Sequence, residues 1–207
     1  MPIAEIKSYP NSKGTSTPWG RAQYSQTLER GVTFYGTAGH GGLSVTFAWA
    51  EKHLTPHAIM LGSVYGGKLW YEEDCQISIV FYERPDLFPR MTGKRLGREK
   101  FEESVRAWNS EYFDKEYQNA CARAYPMPKA QDLKNGDEVD MVSYGAPGNV
   151  RTFTYLKPYG KKAKDLLVRG DEGGVYKISE TQYRNEACQI RSGNAVVWER
   201  PEAPNRT

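Results

Sequence analysis

No stretch of this sequence approaches the run of about 18 apolar residues that a membrane-spanning helix needs, so a helical membrane protein and a membrane partner are not expected. The opening residues, MPIAEIKSYP, lack the apolar core of a secretory signal, which predicts a cytoplasmic protein, resident in the cell that makes it. Cysteine is scarce and scattered. Cys75, Cys121 and Cys188 are odd in number, and no two stand at CxxC spacing. A disulfide framework and a zinc knuckle are therefore not expected, and the three thiols read as small, partly buried groups. An excess of one charge sign is missing as well: 28 basic against 25 acidic residues leave a net +3. That balance does not announce a nucleic-acid binder, nor is it acidic enough for a DNA mimic. The sequence also lacks Gly-x-Ser-x-Gly, a P-loop, a GxGxxG turn, any placeable Ser-His-Asp or Cys-His set, and internal repeats. No cofactor and no metal centre follows from a recognisable motif.

Aromatic residues, in contrast, are plentiful at 13%, with 14 tyrosines among them. Tyrosine joins a large apolar body to a polar tip and suits half-buried strands and binding surfaces equally. With 39% hydrophobic residues in 207, the chain has material for one large core or two small ones.

The expected fold class is α+β: an N-terminal α+β domain with one long helix, then a small SH3-like β-barrel. Residues 1–16 are polar and read as a flexible arm. The α+β domain is expected over 17–126. Thr17-Pro18 offers an N-cap and a first-position proline, predicting a helix to Arg30 with Gly31 as its terminator. A strand follows at 32–35, then a glycine-rich loop, then a short helix capped by Ser44 and ended by Pro56. Strands are expected on either side of Glu72-Glu73-Asp74, the second covering 75–82, or one long strand with a bulge, and then a loop over 83–97. Phe101, Val105, Trp108 and Tyr112 recur at helical spacing, predicting one helix over 98–124. Tyr125-Pro126-Met127-Pro128 is the expected boundary. From 127 to 200 the texture changes to short strands: 138–142, 150–156, 166–168, 175–178, 189–190 and 195–198, separated by turns such as Asn135-Gly136 and Gly173-Gly174. Residues 201–207 read as a disordered tail.

Four groups of residues have chemistry to offer. His40 stands in a loop with Gly36, Gly39, Gly41 and Gly42. Such a loop has backbone N–H groups to turn towards an anion, and imidazole moves protons near neutral pH. The same residues also suit a plain tight turn. Glu72 and Asp74 share one face of an extended segment, where paired carboxylates bind a hard cation or perturb one another for acid–base work. A solvated acidic turn is the alternative. His53 and His57 have an i,i+4 spacing, but Pro56 lies between them and no third ligand is placed. Lys157, Tyr159, Lys161, Lys162 and Lys164 form a loop-like run in which lysines suit phosphates and tyrosine suits a stacked base, with a plain solvated loop as the alternative.

Thr17-Pro18-Trp19-Gly20-x-Ala22-Gln23, Gly31-Val32, Thr37-Ala38-Gly39-His40-Gly41-Gly42 and Tyr71-Glu72-Glu73-Asp74 follow one another in order. Together they resemble an uncharacterised domain of unknown function found in bacteria, plasmids and phages. The resemblance implies a phage or mobile-element setting and supplies no activity. Three functions stay open. The first is a phage or mobile-element accessory protein that binds and inhibits a host protein, such as a nuclease or defence complex, through aromatic anchors. The second is an enzyme acting on a nucleotide-like ligand, with His40 and Glu72 or Asp74 as catalytic groups and Trp19, Thr37, Gly39, Gly41 and Gly42 around the ligand. The enzyme reading requires His40 within a few ångströms of an acid. The third is nucleic-acid binding through the C-terminal lysine run.

Overall fold

The computed structural model describes residues 14–142, 149–160 and 162–201. The protein is mixed α+β, with seven helices and three sheets among the described residues. It divides into two units, Met1–Asp114 and Lys115–Thr207.

The first unit opens with a two-stranded ribbon, β1 (Ser16–Thr17) and β2 (Gly20–Arg21), in place of the helix that Thr17-Pro18 predicts. Thr17 Oγ1 does accept the Trp19 N–H, as an N-cap would, but it also donates to Gly20 O at 2.8 Å, and Gly20 has φ +113. A left-handed residue in what would be the first helical turn sends the chain back on itself. Next come β3 (Tyr24–Glu29), β4 (Val32–Gly36) and β5 (Gly41–Val45). Gly31, at φ +96, is the hairpin turn between β3 and β4 rather than a helix terminator. Both sites demand the same backbone, so the residue could not discriminate between them. α1 (Phe47–His53) is capped by Thr46, because Ser44 belongs to β5; α2 (Pro56–Leu61) is capped by Thr55. β6 (Ser63–Tyr65) and β7 (Lys68–Glu72) complete an antiparallel sheet of order β3-β4-β5-β7-β6.

The register sorts this sheet into two faces. Phe34, Leu43 and Tyr71 lie abreast, as do Val32, Val45 and Leu69, and all six are buried. The helices cover this side: the Tyr71 hydroxyl donates to Ala58 O of α2 at 3.0 Å. On the other face Thr33, Ser44 and Trp70 lie abreast, followed by Tyr35, Gly42 and Glu72. Trp70 is ringed there by Trp19, Tyr35 and Tyr65 at 5.4–6.3 Å between centroids.

The segment expected as a strand over 75–82 is instead α3 (Ile77–Glu83). Ile77 to Phe81 are all buried. A helix buried all round shows no period, and a short β-branched run then mimics a strand. The expected loop that follows contains α4 (Leu87–Thr92). The single long helix is also corrected. α5 (Arg98–Trp108) ends at Asn109, a 3-10 turn occupies Ser110–Phe113, and α6 (Lys115–Ala124) starts afresh. Asn109 leaves helical geometry so that its amide reaches Cys75 O at 2.8 Å, a local competition to which asparagine is prone. Phe101 and Val105 are buried as the stripe predicts, whereas Trp108 is 54% exposed.

Asp86 receives two hydrogen bonds from Arg84, at 2.8 and 2.9 Å, and one from Arg90 at 3.1 Å. The Arg84 bonds hold its carboxyl below the ordinary aspartate range. Such a lowered group stabilises the fold above its unfolded pKa, and the contribution is lost as pH falls through the folded value. Asp86→Asn is therefore expected to lower the melting temperature at pH 7 and to match the parent near pH 2. With 45% of the side chain exposed, screening limits the difference to about 1 kcal/mol. Thermal unfolding at the two pH values checks it, and an equal loss at both removes the ionic explanation.

In the second unit, α6 is followed by β8 (Glu138–Val142), β9 (Val150–Tyr159), β10 (Asp165–Gly170), β11 (Val175–Ile178), α7 (Glu180–Glu186), β12 (Ala187–Ser192) and β13 (Ala195–Glu199). The strands expected from alternation are all present. They form one antiparallel sheet of order β11-β10-β9-β8-β12-β13. The barrel is corrected: among the described residues no pairing joins β11 to β13. Helical segments cover the sheet's apolar face instead. Ala124 of α6 and Tyr183 of α7 share a core with Val139, Leu166, Val168, Ile190 and Trp198. α7 escapes sequence reading because it buries only Tyr183. Ala146-Pro147-Gly148, Lys161 and the expected tail from 202 lie outside the described residues, as does the expected arm up to residue 13.

Candidate functional site: a histidine–carboxylate cluster

Three of the four sequence blocks meet at one end of the first sheet, while Gly31-Val32 stands at the other end of β4. β4 and β5 are joined by residues 37–40, a shorter loop than the glycines suggest. Thr37 closes it: its N–H and Oγ1 both donate to His40 O, at 2.7 and 2.8 Å, and its Oγ1 accepts the His40 N–H at 3.1 Å. Gly41 and Gly42 are strand residues. A Cβ at Gly41 would fall 2.5 Å from Glu73 Oε2, and one at Gly42 2.3 Å from the Trp19 ring. These glycines thus make room for neighbours, while a Cβ at Gly39 would meet nothing within 4 Å.

Gly42 pairs with Glu72 across β5 and β7, so His40 and Glu72, 32 residues apart in sequence, meet in space. His40 Nδ1 lies 3.4 Å from Glu72 Oε1. The other carboxylate oxygen of Glu72 accepts the Asp74 N–H at 3.0 Å and the Cys75 thiol at 3.1 Å, which fixes its orientation. One ligand-type atom from each of His40, Glu72 and Asp74 lies within 4.8 Å of the others. The Glu72 side chain is 17% exposed and that of His40 is 59% exposed, so a held carboxylate faces an open imidazole.

Electrostatics follow from crowding. Burial first, then Asp74 and Glu72, push Glu73 up, while His40 opposes them. Burial and Glu73 push up Tyr24. Burial and the bond to Glu72 push the Cys75 thiol up to about 11, which keeps it a proton donor and a poor nucleophile.

The TPWG, GHGG and YEED blocks all fall within one stretch that matches a known family. The chain belongs to the family of the domain of unknown function DUF7007. The match covers residues 12–134, more than half of the chain. No curated protein and no solved structure matches. The DUF7007 region therefore contains the whole histidine–carboxylate cluster and ends before β8.

The other candidates fare differently. His53 stacks on Trp49 at 4.8 Å in α1, and His57 on Tyr112 at 4.6 Å in α2, so each has its own aromatic partner. Outside the DUF7007 region, Lys157 and Tyr159 lie on β9. Lys164 pairs with Glu180 at 3.1 Å, and Lys177 sits 5.8 Å from the Tyr159 ring. Lys162 is exposed, and Lys161 falls outside the described residues. Sequence reasoning missed the residues that hold the acidic turn: Gln76, bonded to Leu61 O at 2.8 Å, and Asn109, bonded to Cys75 O. Their only sequence signal was an amide at the edge of an apolar run.

Proposed function

We propose that the first unit is an acid–base catalytic domain. His40 carries the proton, Glu72 orients the imidazole, and the substrate is a small nucleotide-like molecule lying beside Trp19. The observation that carries this reading is the 3.4 Å approach of His40 Nδ1 to a carboxylate that its own turn holds in place. A carboxylate on one ring nitrogen fixes tautomer and orientation and leaves the rest of an exposed ring to meet a substrate. Trp19 supports the assignment, because its ring covers Gly42, the cross-strand neighbour of Glu72. Incubating the full chain with a panel of nucleotides, nucleotide sugars and nucleosides, followed by mass spectrometry, tests it. Turnover of one panel member is expected, and His40→Ala is expected to lower it by about 10²–10⁴-fold. Turnover unchanged in His40→Ala sinks the reading.

A second reading is favoured by a different observation. Val196 and Val197 on β13, an edge strand, are 52% and 53% exposed, and Val175 on the opposite edge is 54% exposed. Exposed apolar edges are where partner chains add. In this reading the protein is a phage or mobile-element accessory factor that binds and inhibits a host protein, with anti-defence as its use. A host protein captured by the parent chain is expected to be lost from a Val196→Ser/Val197→Ser variant and retained by His40→Ala. Capture indifferent to the valines counts against it.

A further inference from the structure

We infer that His40, Glu72 and Asp74 bind one first-row divalent cation, held by an imidazole nitrogen and two carboxylate oxygens. This stands apart from the acid–base reading, because a cation on the His40 nitrogen takes the lone pair that would otherwise move a proton there. The three ligand-type atoms already lie within 4.8 Å of one another. Donors around a cation at ordinary bond lengths of about 2.0–2.2 Å stand some 3–3.5 Å apart. The remaining closure is small and falls on His40 and Asp74, both exposed, while Glu72 stays fixed.

Charge balance points the same way. Glu72, Glu73 and Asp74 are consecutive, and among the described residues no Lys or Arg forms an ion pair with any of them. The Asp74 carboxylate accepts no hydrogen bond from the described residues, although its backbone is pinned to Glu72. Elsewhere in the same unit the carboxylates of Glu29 and Asp86 are each paired with arginine. A bound cation supplies here what arginine supplies there.

The donor set selects the class of metal. One imidazole and two carboxylates suit Zn²⁺, Mn²⁺ or Fe²⁺ better than an all-oxygen ion such as Ca²⁺. Cys75 donates to Glu72 Oε2 and so orients a ligand rather than being one. Three protein donors leave coordination positions open to water or substrate. The cation also gives the nucleotide-like substrate a reason to bind: three adjacent carboxylates repel a phosphate, whereas a cation between them attracts it.

Calorimetric titration of the full chain with ZnCl₂ and MnCl₂ tests the inference without any substrate. One Zn²⁺ per chain is expected, bound more tightly than Mn²⁺. Asp74→Asn, Glu72→Gln and His40→Ala are each expected to weaken it by at least about tenfold. Asp74→Asn keeps the backbone bond to Glu72, so its circular dichroism is expected to match the parent. The exposed pair Lys100–Glu103 gives a control: Glu103→Gln is expected to leave binding unchanged. Absence of one-to-one Zn²⁺ binding, or equal affinity in the parent and all three variants, overturns the proposal. Metal binding without turnover removes the catalytic reading and keeps the cation. Turnover that survives EDTA, with no one-to-one binding, does the reverse.

Discussion

Gly42→Ala is expected to destabilise the first unit by about 2–4 kcal/mol, whereas Gly39→Ala, three residues earlier, changes little. The difference lies in what a methyl group meets. At Gly42 a Cβ would stand 2.3 Å from Trp19 Cη2 and 2.3 Å from the carbonyl oxygen of Tyr71. The indole can swing aside, but the carbonyl belongs to β7, which the β5–β7 ladder holds in register. The strand pair must open or the chain must shift, and interiors packed to crystal density resist both. At Gly39 nothing lies within 4 Å, and the residue has no positive φ to strain. A melting temperature lower by roughly 5–15 °C for Gly42→Ala, against a degree or two for Gly39→Ala, is the expected outcome in a thermal scan. Equal melting temperatures would mean that Trp19 and β7 do not press on Gly42. The substitution also reports on the site, since an indole pushed off Gly42 no longer lies beside Glu72.

Trp198→Ala is expected to cost about 3–5 kcal/mol in the second unit. Trp198 is 6% exposed and shares its core with Val139, Leu166 and Ile190. Its indole N–H donates to Ala124 O at 2.7 Å, at the C-terminal end of α6, where carbonyls lack helical partners. Truncation therefore opens a cavity and leaves a buried carbonyl unsatisfied. Trp198→Phe keeps most of the volume and loses only the bond, for about 1–2 kcal/mol. Urea denaturation separates the two, with Ala well below Phe and Phe below the parent. Since whole domains are stable by only about 5–15 kcal/mol, the alanine variant stands near the edge of folding. An alanine variant no weaker than the phenylalanine one would contradict a cavity at this position.

The second sheet was legible in the sequence because polar and apolar residue types alternate, as in Glu138-Val139-Asp140-Met141, although Asp140 is itself buried and bonded to Thr152 and Arg191. Its open edges were not, since local alternation does not say whether the first and last strands meet. In the first unit the same logic failed where burial removed the period, at Ile77–Phe81, and where one side chain bond overrode the helical stripe, at Asn109. The site itself was legible as residue types: an imidazole amid glycines and an acidic triplet beside Trp70-Tyr71. What the sequence withheld was the register of β5 on β7, which alone converts 32 residues of separation into 3.4 Å. It also disguised the glycines, whose abundance suggested a phosphate cradle when two of them accommodate Trp19 and Glu73.

The division of the chain after Asp114 bears on how the family's limits translate into a workable gene fragment. The region shared with DUF7007 runs to residue 134, past that division. A fragment cut there carries α6 and the following turn without the sheet they cover. Ala124, Met127 and Ala130, buried in the whole protein, would then face water. Cutting after Asp114 instead retains His40, Glu72, Asp74 and the Asn109 bond that steadies their turn, and leaves the orphaned helix with its own core.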